Sequence, residues 1–157
     1  MMRQYITILL LIIFSASFSI AQEINIIPNS SLSFGKVVKP AIGNAQITIT
    51  KNGSLGNPSN AVILNSSSVS AGSQTIAGST NNNVSISFSQ CSSNSAIGLE
   101  IKNFVARYDT IDFVSFQVGL PPPSLGTNLL YGATLVINSN AQTGNLQPCY
   151  HIDVNYE

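Results

Sequence analysis

Apolar and polar residues alternate along most of this chain. In "NVSISFSQC", Val84, Ile86 and Phe88 alternate with serines, and in "AQITITK", Ile47 and Ile49 alternate with threonines. A period of two residues is the pattern of a β-strand that buries one face and exposes the other. Both segments are therefore predicted strands with a polar outer face.

The segment that closes the chain, "YHIDVNYE", follows the same period. Ile152, Val154 and Tyr156 fall on one face, and His151 and Asp153 fall on the other. The segment "ATLVINS" alternates in the same way. We expect two further strands here, with the apolar set of each directed at the core.

Two other segments are predicted strands with less certain faces. "DFVSFQVGL" sets Val114, Phe116 and Val118 against Phe113, and "AVILN" is apolar throughout except at its end. A short continuous apolar run is typical of a strand that is covered on both sides. We therefore expect "AVILN" to be buried on both faces.

Turn signals separate the predicted strands, and no segment after residue 21 combines a helical period with caps. Asn52-Gly53 is a strong hairpin signal. Residues 121–123 are consecutive prolines, which cannot donate ladder hydrogen bonds inside a sheet. The pattern predicts an all-β, immunoglobulin-like sandwich of about seven to nine antiparallel strands.

The first 21 residues have the layout of a secretory signal peptide. Arg3 precedes an apolar run, which ends in small residues that include Ser19 and Ala21. The run is short for a membrane anchor. We expect cleavage before Gln22, a single domain over residues 22–157, no integral membrane segment after cleavage, and a location in the periplasm, on the cell surface or outside the cell.

Charged residues make up only 8% of the chain, and the formal net charge is zero. Proteins that bind nucleic acid carry a basic patch, because they must neutralise phosphates. This composition therefore argues against a nucleic-acid partner. Apolar residues make up 44% and lie in alternating runs, which argues against disorder.

Cys91 and Cys149 are the two cysteines of the chain. An even number of cysteines in an exported protein favours a disulfide. Metal ligation and free thiols are the alternatives. Two cysteines and one histidine fall short of a closed zinc site, so no metal or other cofactor is expected.

Candidate catalytic residues are few. His151 is the single histidine, and Asp109 and Asp112 form a possible carboxylate pair beside Arg107. The chain has no Gly-x-Ser-x-Gly motif for a nucleophilic serine. A solvated strand face around His151, and an ion pair between Arg107 and one of the carboxylates, are the favoured interpretations. We therefore expect no enzyme activity.

Short motifs at both ends of the chain resemble the bacterial secreted family called domain of unknown function 4402. An opening "LSFG" element, a later "GATL" element, a glycine and a closing Val-x-Tyr strand occur in the family's order. Similar start and end elements occur in spore coat protein U-like and fimbrial subunit families. The matching residues are Leu32, Ser33, Phe34, Gly35, Gly132, Thr134, Leu135, Gly144, Val154 and Tyr156.

The resemblance implies an exported immunoglobulin-like sandwich with no established molecular function. We expect a structural or adhesive protein of the surface or periplasm, pilin-like or coat-like, that pairs strands with itself or with other surface subunits. Residues 22–31 could be a donated strand, but the protein's own first strand is the preferred interpretation. The alternative function is a monomeric secreted module that binds a glycan or a peptide.

Overall fold

The computed structural model describes residues 23–79, 81–123 and 126–157, and the predicted signal peptide lies outside these ranges. The all-β sandwich is confirmed. Within these ranges there are eleven strands and one short helix. They are β1 (Ile24–Ser30), β2 (Ser33–Val38), β3 (Asn44–Ile49), β4 (Val62–Ser70), β5 (Gly72–Gly78), β6 (Val84–Gln90), α1 (Ser93–Ala96), β7 (Leu99–Tyr108), β8 (Ile111–Val114), β9 (Phe116–Leu120), β10 (Thr127–Asn138) and β11 (Tyr150–Tyr156).

One layer of the sandwich is a six-stranded antiparallel sheet, in which five strands have the order β1-β5-β10-β7-β8 and the sixth, β3, pairs with β10. The long strand β10 pairs with β5 through its first half and with β3 through its second half. Gly132 lies at the junction, where any side chain would overlap the carbonyl oxygen of Ile49. The glycine therefore lets β3 approach β10 closely.

The facing layer consists of two separate sheets, β11-β6-β9 and β2-β4. The apolar residues of β6 point inward, as predicted, and Phe88 reaches the centre of the core. Its ring stacks on Phe104 of β7 with centroids 5.0 Å apart, and lies 5.5 Å from the ring of Tyr131 on β10. Aromatic packing therefore joins this layer to the six-stranded sheet.

Ser115 joins the two layers at one side of the sandwich. Its N–H donates to the carbonyl of Phe104 on β7, and its carbonyl accepts from the N–H of Phe88 on β6. The single strand predicted from "DFVSFQVGL" is therefore two strands in different sheets, β8 and β9. This division adds one strand to the predicted set, and the described ranges hold eleven strands. Phe113 is buried, whereas Val114, Phe116 and Val118 are exposed.

The "AVILN" prediction was wrong about burial. Val62 and Leu64 on β4 are each 60% exposed, while Ile63 between them is half-buried. The physical reason is the position of β4, which pairs with β2 and covers the core with one face only. A continuous apolar run does not reveal which of its residues point outward.

The turn predictions agree with the structure. Gly53 donates its N–H to the Thr50 carbonyl at 2.9 Å, which closes the turn at Asn52-Gly53. The three prolines form an irregular connection, and the Pro123 carbonyl accepts from the N–H of Gly78 at 3.1 Å. No helix in the described ranges is long and apolar enough to cross a membrane.

Candidate binding cleft

A cleft of about 800 Å³ opens in the divided layer, between β2 and the irregular residues 142–148. Its floor comes from the opposite layer and consists of Leu99, Leu135 and Ile137. The two sheets of the divided layer do not hydrogen-bond to each other along this line. The cleft therefore reaches down to buried residues of the sandwich interior between two walls.

The β2 wall is shaped by an irregular pairing with β4. Phe34 is buried, and Gly35 has a φ of +74°, a conformation that glycine adopts readily. A side chain at Gly35 would lie 2.8 Å from the carbonyl oxygen of Asn65. The side-chain oxygen of Asn65 accepts a hydrogen bond from the N–H of Ser67 at 3.0 Å, which forms a local turn in β4. The opening motif is thus held at a bulge in the β2–β4 ladder.

The opposite wall is anchored at its two ends. Gln142 donates its N–H to the carbonyl of Ile97 at 3.1 Å. At the other end, the side chain of Asn94 on α1 makes two hydrogen bonds to the backbone of Cys149. Leu146, between these anchors, is half-buried and lines the cleft. The chain can therefore form this wall without regular secondary structure.

The predicted disulfide joins Cys91 to Cys149 across a sequence separation of 58. His151 Nε2 lies 3.3 Å from Cys91 Sγ. The potential metal-ligating atoms of Cys91, Cys149 and His151 all lie within 4.8 Å of one another. Because the two sulfurs are bonded to each other, neither is available as a thiolate. The grouping of Cys, His and Asp near the C-terminus is therefore a disulfide beside an exposed strand face.

Six of the ten family-motif residues meet at this cleft, although they come from both ends of the chain. They are Leu32, Ser33, Phe34, Gly35, Leu135 and Gly144.

The other four motif residues support the surrounding sandwich. The hydroxyl of Thr134 is 2.9 Å from that of Thr48, which joins β10 to β3 beside Gly132. Val154 and Tyr156 are half-buried on β11, and the Tyr156 hydroxyl accepts the N–H of Ser79 at 3.0 Å. These residues therefore stabilise β10 and β11, the strands on either side of the irregular residues 142–148.

Tyr150 lines the cleft. Its hydroxyl is 3.1 Å from that of Tyr131, and its ring centroid is 5.8 Å from that of Phe104. Burial is the main reason that the pKa of Tyr131 lies well above its usual value, and the hydrogen bond with Tyr150 adds to the shift. The part of the cleft around Tyr150 is therefore aromatic and uncharged.

The carboxylate pair considered from the sequence does not form a shared site. Arg107 Nε and Lys51 Nζ each lie 2.7 Å from an oxygen of Asp112, which confirms the ion pair with Arg107. The hydrogen bond from Arg107, followed by that from Lys51, holds the pKa of Asp112 well below its usual range. Asp109 lies in the turn between β7 and β8 and does not join this ion pair.

Sequence reasoning did not single out Lys36 and Lys39, which are both exposed and both line the cleft. Among the described residues that line the cleft, these two are the only charged ones. A signal was available, since two lysines three residues apart are conspicuous in a chain with 8% charged residues. The apolar floor could not be found in this way, because its residues come from β7 and β10.

Together, these features define an all-β sandwich protein with a disulfide and a surface cleft where its two terminal regions meet. The chain belongs to the family described as domain of unknown function (DUF4402), whose sequence model matches residues 24–156. No curated protein and no solved structure matches the chain.

Proposed function

We propose that this protein is an exported structural or adhesive module of the bacterial surface or periplasm. In this role it accepts an extended segment of a neighbouring subunit in the cleft. The observation that carries the proposal is the divided layer, in which a cleft with an apolar floor lies between the β2-β4 sheet and the irregular segment that leads into β11. The role is structural, and no reaction is assigned to it.

The free side of β2 suits the addition of a strand. β2 pairs with β4 on one side, and no other described strand pairs with it. An unpaired strand edge presents backbone N–H and C=O groups that an extended peptide can bind. The six residues of β2 offer an edge roughly 20 Å long. Backbone pairing and an apolar floor together favour a peptide over a compact ligand.

The first described strand of the protein, β1, lies outside the cleft. Ile24–Ser30 is β1 and pairs with β5 in the same chain, so the preferred interpretation of this segment is confirmed. Deleting it would remove an edge strand and would confuse folding with assembly. A test of assembly should therefore alter the cleft and leave β1 in place.

A blocked cleft provides this test. Gln147 is exposed and lines the cleft, so Gln147→Trp should obstruct it without disturbing the core. Asn155→Trp is the matched control, because Asn155 is exposed on β11 outside the cleft. We expect light scattering to show concentration-dependent assembly of the unaltered protein and of the control, and its loss in Gln147→Trp. Assembly that survives Gln147→Trp would contradict the proposal.

A neighbouring subunit of a different sequence requires a test in the producing cell. A photo-crosslinking amino acid at position 147 should form an adduct with one contiguous extended segment of a partner, identified by mass spectrometry. The same group at position 155 should not form that adduct. If assembly and this adduct are both absent, the proposed function is wrong.

A second candidate is a monomeric module that holds a soluble glycan or peptide. The volume of the cleft, about 800 Å³, is within the usual range of ligand sites, roughly 300–1,000 Å³. This candidate predicts a monomer at every concentration, together with saturable binding on a glycan or peptide array that Gln147→Trp abolishes.

A further inference from the structure

The cationic side chains of this protein are distributed unevenly between ion pairs and the cleft. Outside the cleft, Lys51 and Arg107 bind Asp112, and Lys102 binds Glu100 at 3.1 Å. The remaining two Lys or Arg residues of the described ranges, Lys36 and Lys39, have no carboxylate within ion-pairing distance. Both unpaired cations of the described chain therefore lie at the cleft.

In the part of the chain that the structure describes, no residue that lines the cleft carries a compensating negative charge. Lys36 lies on β2 and Lys39 follows the end of that strand, so the two ammonium groups belong to one wall. Leu135 and Ile137 form the apolar floor opposite them. A ligand that complements this surface needs apolar groups for the floor and an anionic group for the β2 wall.

We propose that the segment bound in the cleft is an acidic β-strand, in which a carboxylate side chain flanks alternating apolar residues. The carboxylate binds Lys36 and Lys39, and the apolar side chains pack toward Leu135 and Ile137 at the floor. Backbone pairing to β2 supplies the rest of the contact, as it does when peptides add to a sheet edge. This inference rests on the proposed function, since it specifies the chemistry of the segment that the cleft accepts.

The chain itself provides a suitable probe. Residues 23–30, "EINIIPNS", place Glu23 beside Ile24 and Ile26 in an alternating pattern. A labelled peptide of this sequence with blocked termini carries one charge, that of the glutamate. Its partner peptide, "KINIIPNS", differs only in the sign of that charge. Fluorescence anisotropy with the purified protein measures the affinity of each.

We expect the acidic peptide to bind about fivefold more tightly than the basic one, the size of effect that an exposed ion pair produces. The preference should fade at about 1 M salt, where charges are screened within ~3 Å. The variant Lys36→Gln/Lys39→Gln should bind both peptides equally. The control Ser89→Asp/Asn155→Asp lowers the net charge by the same amount on exposed residues of β6 and β11, and should keep the preference.

The outcomes separate this inference from the proposed function. Equal binding of both peptides by the unaltered protein would overturn the acidic preference and leave the peptide cleft intact. A preference that persists in Lys36→Gln/Lys39→Gln would also overturn it. If neither peptide binds, or if the cleft binds a fatty acid such as laurate and neither peptide, the inference and the proposed function both fail.

Discussion

The side chain of Asn94 makes two hydrogen bonds to the backbone of Cys149, as a residue of a neighbouring β-strand would. Its side-chain nitrogen donates to the Cys149 carbonyl at 2.8 Å, and its side-chain oxygen accepts the Cys149 N–H at 2.7 Å. Cys91 also donates its N–H to that carbonyl, at 3.1 Å. The side-chain amide of Asn94 therefore takes the place of a backbone peptide group as the hydrogen-bonding partner of Cys149, just before β11 begins.

Removal of this amide should weaken the start of β11. Asn94 is 1% exposed, and Asn94→Ala removes the partner of the Cys149 N–H from a part-buried hydrogen bond. We expect a loss of about 2 kcal/mol in the free energy of unfolding, measured by urea denaturation. The exposed neighbour Ser95→Ala should change it by less than about 0.5 kcal/mol. Equal effects of the two substitutions would contradict the assigned role.

The disulfide constrains the same position by a different route. The chain-entropy estimate for a separation of 58 residues is about 4 kcal/mol. We expect Cys91→Ala/Cys149→Ala to lose up to that amount, which corresponds to a melting temperature roughly 10 °C lower. Because Asn94 and the disulfide both constrain Cys149, the losses in unfolding free energy caused by removing each of them should not add. Additive losses in the combined variant would show that the two anchors act independently.

Gly132 should tolerate no side chain. An added Cβ would overlap the backbone of Ile49 and Thr50, which can move only if β3 shifts away from β10. We expect Gly132→Ala to lower the free energy of unfolding by about 3 kcal/mol. Gly119→Ala is the informative comparison, because the space around it is open and its φ of +67° adds only backbone strain. That variant should lose about 1 kcal/mol.

Tyr131 should make the protein sensitive to alkali. Its pKa is raised in the folded state, so its contribution to stability is complete below the ordinary tyrosine pKa of about 10 and is lost as the pH rises above it. Tyr131→Phe should cost about 1 kcal/mol at pH 7, since it removes the hydrogen bond with Tyr150.

Above pH 10, the stability of Tyr131→Phe should fall less steeply than that of the unaltered protein. Urea unfolding at several pH values between 7 and 11 measures both slopes. Tyr108, whose pKa is also raised by burial, remains in both proteins and supplies a common background. Parallel slopes would mean that Tyr131 ionises with little penalty in the folded protein.

The sequence predicted strands best where one face is in the core and the other is in water. For β6 and β11 the period of two gave the inward sets Val84, Ile86 and Phe88, and Ile152, Val154 and Tyr156. The disulfide followed from the number of cysteines and the expected compartment. These features depend on local pattern and composition, which a single sequence displays.

The predictions were weaker where tertiary position decides the outcome. Ser115 sends the chain from one sheet to the other, and nothing in "DFVSFQVGL" marks that change. Val62 is exposed because β4 covers the core with one face, which depends on what packs around it. The cleft joins residues from both ends of the chain to a floor from its middle, so its two lysines have meaning only in the fold.

The covalent bridge also sets how far this protein can be stretched. A force that pulls on the two ends passes from Cys91 to Cys149 through the disulfide, so the residues between them do not extend. A separation of 58 residues represents about 200 Å of extended chain that is excluded from the load. Strands β7 to β10 and the floor of the cleft lie within this shielded part, whereas β2 lies outside it. Under tension, the wall with the two lysines can extend, whereas the residues of the apolar floor stay within the bridged loop.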